Sequence, residues 1–598
     1  MKITERFLTA ALGMLVAAAA IPLGAAGQDC PAGVISQVEI EVLEVFDIRD
    51  MEDGSFGRRA LRIANWLHMD TREAYVRREL MFEEGSCHDP FLLEETARIL
   101  RSRNFIKWAE ITSQTLPDGN VAVHVQVQDD WTLELGLGLS FDEGVNLEEV
   151  LLREANLLGM GITIGAGLAS VREVQESFGE LAMARMFGTD WTLDGTGGTT
   201  RLGPFVDASL AYPFTSEVSK LAVLPAYTYR EDYFPYSVKR GGEPSHVLLP
   251  YRRQFGQLTV AYRLGEPGNL WLLGGGFSRE NLDFPAYPDG LRMVALDDFG
   301  DLMPATEAEQ DAVQGQTAPL KATRLNLFAG LRRIDFVVRE GLDAVRAQQD
   351  VRVGTETTLS LNPSIPLWEG ENDAEDVHAK ADVFWAKAPG PWVFSTTLKF
   401  EGRYVRGDDG PLGGWRDVLS EFDAKAYFQP NQNPKNTILA RISAARSWDM
   451  DRPFQLTLGG REGVRGYSLD AFPGGRRFLT SLEYRRSFLE TRVVDLGGVA
   501  FGDLGKVWGQ DVPYGVDSGW RSSLGLGVRA NVPGNAIRTM RFDFMLPLSG
   551  DRDTDGVYFR FYTEIGGLLQ FPKRPGQVAR SRWSGIETDH TLSRRPGG

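Results

Sequence analysis

The 598-residue chain has two cysteines, six histidines and no apolar run after its start that is long enough to cross a membrane as a helix. The histidines lack metal-ligand spacing, and no H-E-x-x-H, G-x-S-x-G or P-loop motif occurs. We therefore expect no enzyme activity, no metal and no cofactor. A net charge of −17 argues against a nucleic-acid partner, because binding to phosphates requires basic clusters.

The N-terminus has the pattern of an export signal. Lys2 and Arg6 supply a positive start, residues 8–21 an apolar run, and residues 25–27 a small-residue cleavage site. Residues 1–27 are therefore predicted to be a signal peptide, and the mature chain to be exported.

Residues 34–130 are predicted to form a small α/β domain. Alternating apolar residues indicate a first strand, helical spacing follows, and Asp118-Gly119 marks the turn of a closing hairpin. Cys30 and Cys87 can form a disulfide in an oxidising compartment, with two unpaired thiols as the alternative. The strand–helices–hairpin order resembles a POTRA domain, the periplasmic module of the BamA/TamA superfamily of outer-membrane barrels.

From residue 131 to residue 571, segments of about ten residues alternate apolar and polar side chains, which is typical of a membrane barrel. In one such segment the apolar face contains Trp392, Phe394, Leu398, Phe400 and Tyr404, and the polar face Ser395, Thr397, Lys399, Glu401 and Arg403. The predicted fold is mainly β: a transmembrane antiparallel β-barrel of about 16 strands, up to 20, with one N-terminal POTRA-like domain.

Three irregular stretches, residues 235–250, 287–319 and 363–376, are predicted to be extracellular loops. The second is acidic but lacks the glycine spacing of a calcium loop. Residues 572–598 are basic and poor in apolar side chains, which predicts a disordered periplasmic tail.

One glycine-rich loop, residues 458–472, contains Val464, Arg465, Gly466 and Tyr467, and five strand-like segments follow it. The second of these holds Phe501, Asp503 and Gly505 in an F-x-D-x-G pattern, and the first holds Glu483 in SLEYR. This combination resembles the BamA/TamA superfamily, whose sixth extracellular loop has a VRGF or VRGY tip followed by five strands.

Together, the motifs predict a loop that folds into the barrel lumen. An arginine that loses hydration there needs an inward carboxylate, and Asp503 is the first expected partner of Arg465, with Glu483 the second. Tyr467 and Phe501 are expected to pack beside the ion pair. The alternative is a surface hairpin whose arginines are solvated.

The resemblance implies a bacterial outer-membrane protein that inserts barrel clients or translocates proteins, with its POTRA-like domain in the periplasm. The implied partners are outer-membrane lipid, unfolded or partly folded outer-membrane proteins, and a periplasmic chaperone or inner-membrane protein. Glycines in the first and last strands suggest a weak seam. A two-partner secretion pore and a passive porin or structural barrel are the alternatives.

Overall fold

A computed structural model describes the chain over residues 30–46, 48, 56–140, 146–171, 174–240, 243–295, 302–343, 345–366, 375–407, 413–460, 463–467, 471–534, 538–549, 558–565, 578 and 581–583. The predicted signal peptide, residues 1–27, lies outside these ranges. Within them, no helix combines the length and the apolar character needed to cross a membrane.

The described residues 30–46, 48 and 56–130 form the N-terminal unit. Its elements are β1 (Ile35–Leu43), α1 (Phe56–Leu67), α2 (Glu73–Glu79), α3 (Pro90–Arg101), β2 (Ile106–Thr115) and β3 (Val121–Asp129). The sheet order is β1-β3-β2, with β1 parallel and β2 antiparallel to β3. The strand, the helices and the hairpin that the sequence predicts are therefore present.

Local chemistry explains the ends of these elements. Asp89 caps α3 by accepting a hydrogen bond from the Phe91 N–H at 2.9 Å, and Pro90 occupies the first turn, where a missing N–H costs nothing. On β3, alternate valines including Val123 and Val125 enter the core. Cys30 and Cys87 form a disulfide, which settles the alternative that the sequence left open.

The remaining strands follow the chain in antiparallel order. They are β4 (Leu133–Ser140), β5 (Asn146–Leu157), β6 (Ile162–Val171), β7 (Val174–Met183), β8 (Thr192–Thr200), β9 (Pro204–Ala211), β10 (Leu221–Arg240), β11 (Glu243–Glu266), β12 (Asn269–Asp283), β13 (Arg292–Ala295), β14 (Met303–Pro304), β15 (Leu320–Glu340), β16 (Gln348–Pro363), β17 (Asp376–Lys387), β18 (Trp392–Val405), β19 (Trp415–Phe428), β20 (Asn436–Trp448), β21 (Leu456–Thr457), β22 (Pro473–Gly474), β23 (Arg476–Glu490), β24 (Asp495–Trp508), β25 (Arg521–Asn531), β26 (Arg538–Pro547) and β27 (Tyr558–Ile565). A short helix, α4 (Glu307–Val313), lies between β14 and β15.

All of these strands except β21 and β22 belong to one curved sheet, in which the last strand, β27, is the neighbour of the first, β4. This sheet is called the barrel below. Among the described residues the order contains 22 strands; without the short β13 and β14, 20 long strands remain. The predicted number of about 16 strands is therefore too low, whereas the predicted upper limit of 20 agrees with the number of long strands. Where the structure describes both strands, the last strand meets the first over two residue pairs, Arg560↔Ser140 and Phe561↔Leu139.

The two faces of the sheet differ in chemistry. On β25, Leu524 and Leu526 point outward and are 54% and 65% exposed, whereas Ser523 and Arg529 point inward and are buried. Leucine and tryptophan alternate outward in the same way on β12. Large apolar side chains exposed in such number on a single face are unfavourable in water and suit a lipid surround.

One predicted extracellular loop is wrong. Residues 235–240 and 243–250 continue two paired strands, and β10 and β11 are 20 and 24 residues long. Pro235 and Pro250, which suggested a loop, are both accommodated in the hairpin, opposite Leu248 and Tyr233. Of the acidic stretch in 287–319, Glu307 and Glu309 lie in the first turn of α4, and Glu309 completes a capping box with Thr306.

The N-terminal unit packs against one end of the barrel, called the proximal end. Asn156 donates to the Thr71 hydroxyl at 2.8 Å, and the Arg72 N–H donates to the Gly159 carbonyl at 3.0 Å. Gly159 has φ of +66°, and an added Cβ would lie 2.1 Å from the Asp70 carbonyl oxygen. The turn between β5 and β6 thus packs closely against the N-terminal unit. This close contact is possible only because residue 159 is a glycine, which has no side chain.

The C-terminal tail is a second departure from the prediction. Val578, Ser581 and Trp583 are buried, and Arg582 forms ion pairs with the barrel wall. The predicted disorder is therefore wrong for these four described residues. The physical reason is that they meet apolar and acidic partners far away in the sequence, which local composition does not reveal.

Candidate functional site inside the barrel

The glycine-rich loop lies between β20 and β23 and folds inward. A short two-strand pairing of β21 with β22 closes its base. Leu458, Val464 and Tyr467 are buried with Phe472 against Val507 of the wall. The predicted alternative, a loop that remains in solvent, is thereby excluded.

Arg465 contacts Asp503 with three hydrogen bonds. Its Nε donates to Oδ2 at 2.7 Å, its Nη2 to Oδ1 at 2.7 Å, and its backbone N–H to Oδ2 at 3.2 Å. The fork of the guanidinium matches the two carboxylate oxygens, the strongest geometry that such a pair adopts. The side chains are 11% and 2% exposed, so solvent screens this attraction little.

Glu483 on β23 completes the environment of the guanidinium. Its Oε1 accepts from Arg465 Nη1 at 2.7 Å, and its Oε2 accepts from Arg485 Nε at 2.9 Å. Ser481, two residues earlier on the same face, accepts from Arg465 Nη2 at 2.9 Å and donates to Asp503. Two cationic and two anionic side chains therefore alternate in space and balance one another.

Phe501 covers the flat face of the guanidinium. The Arg465 Cζ lies 3.7 Å from the ring centre, within the range of a favourable cation–π contact. Phe501 is buried, and its paired residue on β25 is Gly525, where an added Cβ would lie 2.2 Å from the ring. The glycine on the neighbouring strand makes room for the inward ring.

Gly466 and Tyr467 fix the direction in which the loop leaves Arg465. Gly466 has φ of +95°, which L side chains rarely adopt. The Tyr467 hydroxyl then donates to the carbonyl oxygens of Ser522 and Ser549, at the end of the barrel opposite the N-terminal unit, called the distal end. Tyr467 thus ties the loop to the strands that precede the β27 seam.

Gly505 provides the space into which the loop packs. A Cβ at this position would lie 2.7 Å from Leu479, 2.9 Å from Leu458 and 2.9 Å from Val464. In each case the near atom belongs to an apolar side chain of the wall or the loop. The last glycine of the F-x-D-x-G pattern therefore permits close contact between the loop and β24.

All eight residues predicted for the site, Val464, Arg465, Gly466, Tyr467, Glu483, Phe501, Asp503 and Gly505, lie in this one cluster. Sequence reasoning did not assign a role to Ser481. The available signal was its position in SLEYR, because alternate residues of a strand share a face and Ser481 precedes Glu483 by two. The same rule places Arg485 on that face.

A second charged cluster in the wall was also missed. Arg403 donates to Asp376 at 2.6 Å and to Asp417 at 2.8 Å, and Asp376 and Asp417 are further paired with Arg324 and Arg452. The five side chains come from separate strands and the loop after β20. Since each is isolated in its own segment, no local sequence pattern indicates the cluster.

One group of metal-ligand residue types occurs in the described part of the chain. Ligand atoms of His68, Asp70 and Asp129 lie within 4.8 Å of one another in the N-terminal unit. His68 and Asp129 are hydrogen-bonded at 3.2 Å, and Asp129 also accepts from the Thr71 N–H at 2.7 Å. Hydrogen bonds to Asp129 therefore explain why these side chains lie together: they connect the end of α1 and the start of α2 to β3.

The geometry is that of a structural contact. The hydrogen bonds of the Arg465 guanidinium to Asp503, Glu483 and Ser481 join the loop to β23 and β24, and Ser481 also donates to Asp503. Such a hydrogen-bonded cluster holds the loop and the wall together and positions the loop.

Comparison with known proteins gives a family for part of the chain. Residues 409–568 match the Omp85 superfamily domain, a region that includes the loop, Asp503 and the last strands. This match confirms the resemblance drawn from the motifs. No curated protein is significantly similar in sequence.

Three solved structures show low similarity to this chain. BamA from Haemophilus ducreyi lacking POTRA domains 1–3 is 12% identical, with 88% of this chain and 83% of that chain covered and a TM-score of 0.34. CdiB from Escherichia coli is 14% identical, with 91% and 93% covered and a TM-score of 0.35. CdiB from Acinetobacter baumannii is 11% identical, with 89% and 74% covered and a TM-score of 0.36.

Proposed function

We propose that this chain, which carries an Omp85 superfamily domain, is a bacterial outer-membrane barrel that assists the membrane insertion of other β-barrel proteins. In this proposal the barrel is closed and embedded in lipid, and the N-terminal unit is a POTRA domain in the periplasm. No catalytic chemistry or cofactor is required, because the folding of the client supplies the free energy.

The observation that carries the proposal is the short pairing of the first and last strands. Among the described residues, β4 and β27 share two residue pairs, whereas β4 shares eight with β5 and β27 shares eight with β26. Backbone N–H and C=O groups left unpaired at such an edge accept an incoming strand by β-augmentation. The seam therefore offers a template for a client strand.

The Arg465 cluster supports this role by holding the wall beside the seam. Arg465 fixes the loop to β23 and β24, and Tyr467 reaches the ends of β25 and β26. With these neighbours held, β27 is the strand whose pairing can change. The N-terminal unit offers two further sheet edges, β1 and β2, for an extended client segment.

A covalent lock of the seam tests the proposal. In a cell depleted of the wild-type protein, the double variant Ser140→Cys/Arg560→Cys joins two paired positions, and each single-cysteine variant is a matched control. We expect the locked protein to be made and folded but to leave many outer-membrane proteins depleted. Full function of the oxidised double variant would contradict insertion at the seam.

Profiling the outer membrane in the same cells separates the alternatives. Broad loss of barrel proteins supports insertion, whereas loss of a single secreted species supports a dedicated secretion pore. An unchanged profile supports a passive porin or structural barrel. A chaperone or inner-membrane partner would be identified by cross-linking to the exposed faces of the N-terminal unit.

A further inference from the structure

The described residues of the C-terminal tail lie inside the barrel. Val578 packs with Phe454, Leu456 and Val512, and Trp583 packs in a cluster that includes Phe234. The two apolar side chains are 5% and 7% exposed. Val578, Ser581, Arg582 and Trp583 are together called the tail plug below.

Trp583 occupies a site with both apolar and polar contacts. Its ring meets Tyr251 edge-on with centres 5.1 Å apart and lies 6.0 Å from Phe234. Its indole Nε1–H donates to the Pro453 carbonyl at 2.9 Å. A buried tryptophan needs such an acceptor for its N–H. The pocket therefore provides both apolar contacts for the ring and a hydrogen-bond partner for the nitrogen.

Arg582 gives the tail plug a charge-specific contact. Its Nε donates to Glu401 at 3.1 Å, and its Nη2 donates to Glu421. These carboxylates lie on adjacent strands, β18 and β19, and the barrel wall therefore presents a pair of negative charges to one guanidinium. A basic, aromatic peptide is the ligand chemistry that this site fits.

The tail plug lies toward the distal end of the barrel, although β27 ends at the proximal end. β27 is antiparallel to β4, which starts directly after the N-terminal unit, and so β27 returns to that unit. Phe234 and Tyr251 belong to the distal halves of β10 and β11, since β10 starts beside the Glu217–Glu95 contact with α3. Ile565 and Trp583 therefore lie toward opposite ends of the barrel, and any path between them must cover that distance.

Chain length allows this path. The 13 positions from Ile565 to Val578 can span up to about 45 Å when extended, which exceeds the about 30 Å of a bilayer's hydrocarbon core. Val578 and Trp583 also contact Phe454 and Pro453, which belong to the loop that carries Arg465. Tail and loop thus fill the same part of the lumen.

We propose that the lumen contains a peptide-binding site for an adjacent arginine and tryptophan, occupied by this chain's own residues 582 and 583, and that this occupant blocks passage through the barrel. The inference rests on the proposed closed barrel in a membrane. The inference is separate from the proposed insertion of client strands at the seam, because insertion at a strand edge does not require an open lumen.

Proteolysis of the full chain in detergent tests occupancy without any client. Trypsin cuts after arginine, so cleavage of the Arg582–Trp583 bond reports departure of the tail plug. Glu401→Gln/Glu421→Gln removes both charged partners, and each lost charge-assisted hydrogen bond raises the open population about tenfold or more. Asp423→Asn, on the same face of β19 and paired with Arg441, is the matched control.

We expect the bond after Arg582 to be cut at least about tenfold faster in the double Gln variant, and at the wild-type rate in Asp423→Asn. Equal rates in all three proteins would overturn the proposal. Because this assay needs neither a membrane nor a client, its outcome is independent of the outer-membrane profile that tests the proposed insertion role.

Conductance in planar bilayers tests the block. A chain ending at Phe571 and the point variant Trp583→Ala should both show a larger ion conductance than the wild type. A synthetic peptide of residues 576–590 should restore the lower value in the truncated protein, and a peptide with Trp583 replaced by Ala should not. Wild-type conductance in both variants would contradict a blocking tail, and the point variant covers the case in which truncation impairs folding.

Discussion

Gly505 of β24 leaves the space that the side chain of Val464 occupies in the inward loop, since an added Cβ would lie 2.9 Å from Val464 Cγ2. The apolar contact and the neighbouring Arg465–Asp503 pair join the loop to the same strand. One position therefore controls how closely the loop approaches the wall.

The first prediction concerns this contact. Gly505→Ala forces Leu458, Val464 and Leu479 apart and should lower the free energy of unfolding by about 1–3 kcal/mol, the usual cost of overpacking. Gly498→Ala on the same strand is the control, because its added Cβ meets its nearest atoms at 3.8 Å. The measurement is the urea midpoint of the purified protein. Equal midpoints for the two variants would show that the loop is not tightly packed.

The second prediction removes the arginine. Arg465→Ala removes the arginine that pairs with the buried Asp503 and one of the two arginines that pair with Glu483, and the expected loss is about 3–5 kcal/mol. The folded, fast-migrating form on unheated gels should become less heat-resistant, and cells should become sensitive to large antibiotics. Arg441→Ala, which removes a more exposed pair with Asp423, should cost under about 1 kcal/mol. If Arg465→Ala behaves like Arg441→Ala, the loop does not support the wall.

The third prediction concerns acid. Burial raises the pKa of Glu79, but Arg103 and Arg185 outweigh it, so the pKa of this carboxyl lies below its ordinary value. A depressed pKa means that the contribution to stability is present above the ordinary glutamate value and is lost as the pH falls through the depressed one. Because Arg185 follows β7, protonation weakens the contact between the N-terminal unit and the barrel.

Hydrogen exchange of α2 in the full chain, followed from about pH 7 to about pH 3, measures this effect after correction for the intrinsic pH dependence. Protection in the wild type should fall only at the acidic end. Glu79→Gln should have low protection throughout, because a neutral amide leaves Arg103 without its buried counter-charge. Glu73→Gln, in an exposed pair with Arg77, is the control. A wild-type profile in Glu79→Gln would disprove the role of the ion pair.

The fourth prediction concerns the disulfide. The bond between Cys30 and Cys87 closes a separation of 57 residues, and its removal should destabilise the N-terminal unit by about 2–4 kcal/mol. Hydrogen exchange of β1 and β3 in the full chain should become faster in Cys30→Ser/Cys87→Ser. Each single variant should match the double one, since either removes the bond, and unchanged protection would show that the sheet alone holds the unit.

Strand periodicity was sufficient to predict a mainly β chain with one large antiparallel sheet, and the family resemblance of the loop and strand motifs predicted the Arg465 cluster. Glu483 and Asp503 point inward because alternate residues of β23 and β24 share a face, and a buried arginine requires such carboxylates. Ser481 obeys the same rule but carries no charge, so nothing distinguished it. Local patterns reveal which face a side chain takes and not which distant side chain it meets.

Two of the failures share that cause. Arg582 finds Glu401 and Glu421, which are more than 150 positions away in the chain, and Arg403 joins Asp376 to Asp417 across separate strands. The loop prediction for residues 235–250 fails for another reason: proline ordinarily ends a strand, whereas here Pro235 and Pro250 are accommodated within a long hairpin.

The hairpin of β10 and β11 has a consequence for the outside of the cell. A strand of 20 residues extends about 65 Å, roughly twice the hydrocarbon thickness of a bilayer. In the proposed orientation its distal half extends beyond the lipid, where residues 245–250 are buried and β11 also pairs with β13. The hairpin thus forms part of a packed cover over the outer side of the barrel rather than a free-standing projection.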